Sequence, residues 1–250
     1  MTETKIYGHR GFMASFPENT LLGFRKAIEL GVDGIEIDVQ LTKDGEVVVI
    51  HDETFDRTTD GVGYVKDISL KEMKQFSAGV NYTHFPNYDK ETWPMERVPT
   101  LQEVLELLEP YPTELNIELK TSLFQYKGIE NKVLSLVNDY GKGRKVIYSS
   151  FHLPSILRIK QLDPNAEIAW LMHQRISHPK DYLLSLDLDA FHLSKQIVLS
   201  DTSYLTGLLG NVRVWTVNDM DDIKRLMDLG VNAIISDFPE KALRYKDERK

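Results

Sequence analysis

One segment, residues 34–52, constrains the fold and the chemistry of this chain more than any other. Glu36 and Asp38 lie two positions apart in an apolar run, so in a β-strand both carboxylates share one face. The sequence Lys43-Asp44-Gly45 predicts a tight turn, because glycine readily adopts the positive φ that such a hairpin needs. A hairpin centred near Asp44 would return His51 to the level of residue 37, beside both carboxylates. That arrangement is typical of a catalytic or metal-binding site.

Strand-like runs alternate with helix-like runs along most of the chain, which is typical of a parallel sheet with crossover helices. We predict eight strands, with residues 46–51 counted as the return arm of the hairpin: 5–8, 34–39, 115–120, 145–150, 167–172, 190–194, 212–217 and 233–236. The length of 250 residues fits a (β/α)8 barrel. The sequence therefore predicts an α/β fold, a (β/α)8 TIM barrel that forms one domain over residues 1–250.

Between the strands we predict amphipathic helices, among them 20–30, 100–108 and 219–229. Glu18 and Asn19 are expected to fix the start of the first, and Asn218 fits an N-cap of 219–229 at least as well as a substrate contact. Residues 53–98 break the alternation and show only a short helical run near 69–76. Because a structureless loop of that length is unusual in a compact domain, we predict a small insertion after the second strand that covers the barrel mouth.

Composition excludes several classes of protein and of site. The chain has no cysteine, so it has neither disulfides nor thiolate metal sites. Its net charge of −8 disfavours nucleic acid and anionic lipid surfaces as partners, although a small anionic substrate fits if a cation and local basic residues reverse the field. There is no apolar run of about 18 residues and no apolar signal core near the N-terminus. We expect a cytoplasmic protein without stable membrane anchoring.

Chemically active side chains recur at the carboxyl ends of the predicted strands, where barrel active sites form. The four clusters are Gly8-His9-Arg10-Gly11, Glu36-Ile37-Asp38, His51-Asp52 and Glu118-Leu119-Lys120. Taken singly, each would be explained by an exposed polar face, but their joint placement favours a site. Three buried acids without a cation would repel one another strongly. We therefore predict one divalent cation, Mg²⁺ or Ca²⁺, held by Glu36, Asp38 and Glu118.

The remaining polar residues of these clusters suit proton transfer and phosphate binding. His9 and His51 fit a general acid–base pair, because imidazole titrates near neutral pH. Arg10 and Lys120 could hold a phosphate, arginine through its bidentate fork and lysine as a point charge. Which of the two histidines acts first as the base is left open.

The order and spacing of these motifs resemble the glycerophosphodiester phosphodiesterase family along nearly the whole chain. The matching motifs are His9-Arg10-Gly11, Pro17-Glu18-Asn19-Thr20, 34–39, Thr42-Lys43-Asp44-Gly45, 49–52, Arg57-Thr58-Thr59, Val98-Pro99-Thr100-Leu101, 116–120, 214–218 and Ser236-Asp237-Phe238-Pro239. The resemblance implies a barrel with an insertion in its second βα connection. It also implies the following roles: metal ligands Glu36, Asp38 and Glu118, acid–base residues His9 and His51, phosphate contacts Arg10 and Lys120, and Trp215 at the glycerol end.

For function, the resemblance implies hydrolysis of a glycerophosphodiester, such as glycerophosphocholine or glycerophosphoethanolamine, to sn-glycerol 3-phosphate and an alcohol. We expect the reaction to pass through a cyclic phosphate. Three alternatives are a phosphodiesterase of lysophospholipase D type, a metal-dependent sugar isomerase on the same fold, and a binding module without turnover. The isomerase does not explain why the hairpin returns His51, and the binding module does not explain the intact set of histidines and carboxylates.

Overall fold

The computed structural model describes residues 3–249, in which parallel strands close into a barrel surrounded by helices. One sheet contains β1 (Lys5–Gly8), β2 (Gly34–Leu41), β3 (Val47–Val49), β4 (Glu114–Leu119), β5 (Val146–Ser150), β6 (Glu167–Met172), β7 (Ala190–Ser194), β8 (Val212–Trp215) and β9 (Ala233–Ser236). β1 pairs with both β9 and β2, which closes a ring of eight strands and leaves β3 outside it. The predicted (β/α)8 fold is confirmed, and the strand bounds agree within two residues.

The hairpin of β2 and β3 forms in the predicted register. β3 runs antiparallel to β2 with Val49 opposite Val39, and extending this register by two residues sets His51 opposite Ile37. Gly45 in the turn has φ +80°, the left-handed conformation that glycine adopts without a steric penalty. Because β3 lies outside the barrel, His51 reaches the barrel mouth without occupying a place in the ring.

Helices cover the outside of the barrel. Within the described residues they are α1 (Leu21–Glu29), α2 (Leu70–Met73), α3 (Leu101–Leu108), α4 (Ile129–Tyr140), α5 (Leu153–Leu162), α6 (Pro179–Ser185), α7 (Lys195–Ser200), α8 (Met220–Leu229) and α9 (Pro239–Glu248). Outward-facing strand residues such as Ile35, Ile37 and Val39 are fully buried against this layer. A smaller core of Tyr7, Ile147, Ala169, Ala190, Ala233 and Ile235 lies in the barrel interior. Burial on both faces explains the near-continuous apolar strands.

The insertion 53–98 consists of short elements rather than a loop without structure. It contains α2 and three 3₁₀ turns, Val65–Asp67, Val80–Tyr82 and Trp93–Met95. Its own core packs on the hairpin residues Val48 and Ile50 and comprises Phe55, Val65, Met73, Ala78 and Val98. This core anchors the insertion to the end of β3, just before His51. That the insertion covers the barrel mouth stays a prediction.

The amino-terminal end of the barrel is closed by ion pairs. Arg213, 2% exposed, contacts Glu167 at 2.5 Å and the ring of His192 at 3.2 Å. Glu114 accepts hydrogen bonds from Lys5 and from the Tyr7 hydroxyl. Burial and the charge of Arg213 hold the pKa of His192 well below its ordinary value, so this imidazole is neutral. The opposite, carboxyl end is left as the place where a ligand can enter. Across residues 3–249, no helix has both the length and the apolarity to cross a membrane.

Candidate active site

Three carboxylates gather at the carboxyl ends of β2 and β4. Glu36 and Asp38 project from one face of β2, and the Cα of Glu118 in β4 pairs with that of Asp38. The three side chains offer carboxylate oxygens that lie within 4.8 Å of one another. The exposed fractions are 4%, 1% and 9%, so water solvates these groups poorly. The structure therefore brings together the three residues that the sequence predicted as metal ligands.

Burial makes this carboxylate cluster unfavourable without positive charge. Burial raises the pKa of Glu36 well above its ordinary value, and the neighbouring Asp38 and Glu118 raise it further. Burial also raises the pKa of Glu118. Asp38 differs, because the charges of Arg10 and Lys120 outweigh the effect of burial and lower its pKa. One acid of the cluster is thus firmly ionised, and a cation would favour ionisation of the other two.

The donor set fits a hard divalent cation. Among the described residues, Asp38 Oδ1 is buried without a hydrogen-bond partner, and so are Oδ1 of Asn19 and Oδ1 of Asn116. Buried oxygens of this kind are normally satisfied, and these three are free to accept or to coordinate a cation. Mg²⁺ and Ca²⁺ prefer such carboxylate and carbonyl oxygens, whereas zinc sites use nitrogen or sulfur donors more often.

His9 follows β1 and is oriented by an acidic partner. Its Nδ1 lies 2.6 Å from Asp237 Oδ1, and its Nε2 lies 3.9 Å from Glu36 Oε2. Asn218 donates its amide to Asp237 Oδ2 at 2.7 Å. Burial raises the pKa of Asp237, but the hydrogen bonds from His9 and Asn218 outweigh it and lower this pKa. The ionised carboxylate can only accept, so the His9 proton lies on Nδ1 and the lone pair on Nε2.

His51 is held in the same way by a different carboxylate. Its Nδ1 lies 2.7 Å from Asp52 Oδ1, and its Nε2 lies 3.1 Å from the Lys120 ammonium. Arg57, from the insertion, donates to both oxygens of Asp52 at 2.7 and 3.0 Å. The hydrogen bond from Arg57 lowers the pKa of Asp52 to about 2. His51 therefore also carries its proton on Nδ1 and offers the Nε2 lone pair.

Arg10 and Lys120, the predicted phosphate contacts, lie among the carboxylates. The Arg10 guanidinium lies 2.9 Å from Glu18 and 3.3 Å from Asp38, while its backbone N–H donates to Glu36 at 3.0 Å. The Lys120 ammonium lies 3.0 Å from Glu118 and 3.8 Å from Asp38. Burial lowers the pKa of Lys120, but these two carboxylates outweigh it and raise that pKa. Both side chains are positively charged and adjoin the carboxylate cluster.

A cavity of about 100 Å³ separates a polar wall from an apolar one. The polar side carries His9, Arg10, Glu36, His51, Asn116 and Glu118, and the other side carries Phe151, Leu171, Trp215 and Ile235. Trp215 is fixed by donating its indole N–H to the His192 carbonyl at 3.0 Å and by an edge contact with Phe151. The cavity accommodates a small molecule with both charged and carbon-rich parts.

Three residues predicted at helix starts, of which Asn218 has substrate contact as its open alternative, make hydrogen bonds within the site and do not cap a helix. Thr20, not Asn19, caps α1, and the Asn19 amide donates to Asp38 at 3.0 Å. Glu18 accepts hydrogen bonds from Arg57 and Arg10. Asp219, not Asn218, caps α8, because its carboxylate accepts from the first-turn N–H groups.

Sequence reasoning also missed the roles of Asp237, Asn218, Asp52 and Arg57. Each of these residues lies inside a motif that carried the family resemblance, and that position was the available signal. Their partners lie far away in sequence, as with His9 and Asp237, so pattern alone could not pair them.

Comparisons with known proteins agree with this geometry. A model of the glycerophosphoryl diester phosphodiesterase family matches residues 9–241. A glycerophosphodiester phosphodiesterase of Caldanaerobacter subterraneus subsp. tengcongensis is 39% identical over 241 residues, which cover 95% of this chain and 96% of the relative. Another from Bacillus altitudinis is 38% identical over 255 residues, which cover 99% and 100%. A phosphodiesterase of Oleispira antarctica, solved with its product sn-glycerol-3-phosphate, superimposes with TM-score 0.85 at 28% identity, covering 98% of this chain and 97% of that one.

Proposed function

The chain belongs to the glycerophosphoryl diester phosphodiesterase family and is a phosphodiesterase, and from this premise we propose that it hydrolyses glycerophosphodiesters in a cation-dependent reaction catalysed by His9 and His51. The substrates proposed are small ones such as glycerophosphocholine and glycerophosphoethanolamine, which give sn-glycerol 3-phosphate and an alcohol. One observation carries the proposal: two imidazoles with carboxylate-bound Nδ1 atoms line the same cavity as the acidic cluster.

Substrate placement follows from the two walls of the cavity. The phosphate would lie against the polar wall, which Arg10 lines, and the Lys120 ammonium would add positive charge from its position 3.1 Å from His51 Nε2. The glycerol carbons would lie against Trp215 on the apolar wall. The Oleispira relative was solved with its product sn-glycerol-3-phosphate, which supports a ligand with both a phosphate part and a glycerol part. The leaving alcohol would extend out of this small cavity toward solvent.

Glu36, Asp38 and Glu118 would hold a divalent cation, Mg²⁺ or Ca²⁺. Such a cation, when bound, supplies Lewis acidity that offsets the charge of the phosphate oxygens and favours ionisation of a nearby hydroxyl. The acidic side chains that hold it accept hydrogen bonds from Asn19 and from the Arg10 backbone, so the cluster is fixed before substrate binds.

The two histidines would move the protons of the reaction. One Nε2 lone pair accepts the proton of the glycerol 2-hydroxyl, whose oxygen then attacks phosphorus and forms a five-membered cyclic phosphate. The other histidine, in its protonated form, gives a proton to the departing alcohol oxygen as the P–O bond breaks. In the second step the roles reverse: water adds to phosphorus, the ring opens, and both histidines return to their starting states.

Two features outside the cavity belong to the proposal. The insertion 53–98 would cover the barrel mouth, which is supported by the contact of its Arg57 with Asp52 and Glu18. A cytoplasmic location, and the absence of nucleic acid and membrane partners, remain predictions from the sequence.

Hydrolysis of glycerophosphocholine by chelated protein, before and after addition of Mg²⁺ or Ca²⁺, tests the proposal. We expect sn-glycerol 3-phosphate and choline to appear only after the cation is added. Lysophosphatidylcholine in a parallel reaction tests the lysophospholipase D alternative, and faster release of choline from it would change the substrate class. Full activity after exhaustive chelation would refute the cation requirement.

A further inference from the structure

Gln40 is a buried polar residue that the proposed reaction does not use. It follows Asp38 by two positions in β2, so it shares a strand face with both Glu36 and Asp38. Its side chain is fully buried, and its Nε2 lies 3.1 Å from the Ile50 carbonyl, 3.0 Å from that of His51 and 2.7 Å from that of Asp52. Three consecutive carbonyls thus converge on one amide group.

The carbonyls of residues 50–52 need a donor other than a neighbouring strand, because the hydrogen-bond ladder between β2 and β3 ends before His51. β3 stops at Val49, and the Ile50 N–H is the last to reach β2, donating to the Asp38 carbonyl at 3.0 Å. Beyond that point the chain bends, and the carbonyls of residues 50–52 all face the Gln40 amide instead of the N–H groups of a neighbouring strand. Buried carbonyls without donors are unfavourable, so the Gln40 amide stabilises this bend.

Tyr126 determines which end of the Gln40 amide faces the carbonyls. Its hydroxyl donates to Gln40 Oε1 at 2.7 Å, which leaves Nε2 to face residues 50–52. Tyr126 lies in the β4–α4 connection and is 7% exposed. Burial raises the pKa of its phenol, so this group remains a donor across the working pH range.

We propose that Gln40 and Tyr126 form a clamp that positions the His51 imidazole, so that both are positioning residues for the reaction. This inference rests on the proposed role of His51. The Gln40 amide holds the carbonyls of Ile50 and Asp52, on both sides of that residue, while the Asp52 carboxylate holds its ring at Nδ1. Without the clamp the bend is free to shift, and a displacement of about 1 Å at a catalytic group can lower turnover by about 10²-fold.

The test compares Gln40→Met, which keeps the side-chain length and removes the N–H donors, with Gln102→Met on α3. The Gln102 side chain donates a hydrogen bond to Glu106 on the helix surface at 2.8 Å. Gln40→Met should lower kcat about 10²-fold and leave the KM and the Mg²⁺ dissociation constant within about threefold. The Gln102→Met control should match wild type. Tyr126→Phe, which keeps the ring, should lower kcat about 3- to 10-fold, the effect of one hydrogen bond. If Gln40→Met does not fold, the kcat of Tyr126→Phe tests the inference.

Making Gln40→Met in the His51→Ala variant as well as in wild type separates a positioning role from a purely structural one. Because the clamp acts through His51, Gln40→Met should lower the residual rate of the His51→Ala variant by less than about threefold. An equal loss in both backgrounds, or a kcat of Gln40→Met and Tyr126→Phe within about twofold of wild type, would overturn the inference. High activity of His51→Ala itself would instead overturn the proposed function.

Discussion

In an Asp237→Asn variant, one carboxylate oxygen next to His9 becomes an amide nitrogen of similar size. The orientation of the new amide is dictated by Asn218, whose Nδ2 lies 2.7 Å from Asp237 Oδ2. Asn218 cannot turn over, because its Oδ1 accepts hydrogen bonds from the backbone N–H of residue 237 at 3.0 Å and from Ser236 Oγ at 3.3 Å. The new amide must therefore present its oxygen to Asn218 and its NH₂ group to His9.

This orientation reverses the tautomer of His9. An NH₂ group facing Nδ1 requires a lone pair there, so the ring proton moves to Nε2 and His9 no longer offers a proton acceptor to the cavity. General acid–base catalysis contributes about 10²–10⁴-fold, and an aspartate-to-asparagine change beside a catalytic histidine in serine proteases lowers kcat about 10⁴-fold. We expect kcat to fall by about 10²–10⁴-fold, equivalent to about 3–5 kcal/mol of transition-state stabilisation.

The assay is the steady-state release of glycerol 3-phosphate at saturating cation. A double variant, Asn218→Asp with Asp237→Asn, provides the matched control. Aspartate at 218 would accept from the new amide, whose oxygen would then face His9 Nδ1 and restore the original tautomer. We expect this double variant to recover at least about 10-fold of the lost kcat, a part of the acid–base contribution. A kcat of Asp237→Asn within about threefold of wild type, or a double variant no faster than the single one, would refute this reasoning.

Two further predictions concern stability. Arg213→Met should lower the free energy of unfolding by about 3 kcal/mol, as measured by urea unfolding. This is the low end for a broken buried ion pair, because Lys145 still contacts Glu167 at 3.0 Å. A loss of kcat in this variant would contradict a purely structural role. The hydrogen bond from Arg57 lowers the pKa of Asp52 from 3.8 to about 2, so Asp52 stabilises the fold above about pH 4 and loses this effect as the pH falls toward 2. Asp52→Asn should therefore show a smaller acid-side decrease in the free energy of unfolding, and an equal decrease would contradict this assignment.

Much of the fold could be predicted because the barrel repeats one local rule. Each strand buries both faces, so it appears as a short apolar run, and each helix carries one apolar face. The sequence indicates the insertion 53–98 but not its 3₁₀ turns, because these are too short for a periodic pattern. Its core depends on Val48 and Ile50, which lie in another part of the chain.

The sequence predicts those residues of the candidate site that lie close together on one strand or hairpin. Glu36 and Asp38 were found from their spacing, and His51 from the turn at Gly45. The orienting partners could not be found in this way, because ring closure brings Asp237 to His9 only after β9 pairs with β1. Gln40 was missed for a related reason: a polar residue in a strand gives no sign of the three carbonyls that converge on it.

We propose that the carboxylates bind the cation and that the histidines transfer protons. Measuring kcat together with the Mg²⁺ or Ca²⁺ dissociation constant on the same variants tests it most directly. For His9→Ala and His51→Ala we predict kcat values lower by about 10²–10⁴-fold with cation affinity retained. For Glu118→Gln we predict weaker cation binding as the first effect. Near-wild-type turnover in both histidine variants, with cation affinity unchanged in Glu118→Gln, would contradict the account.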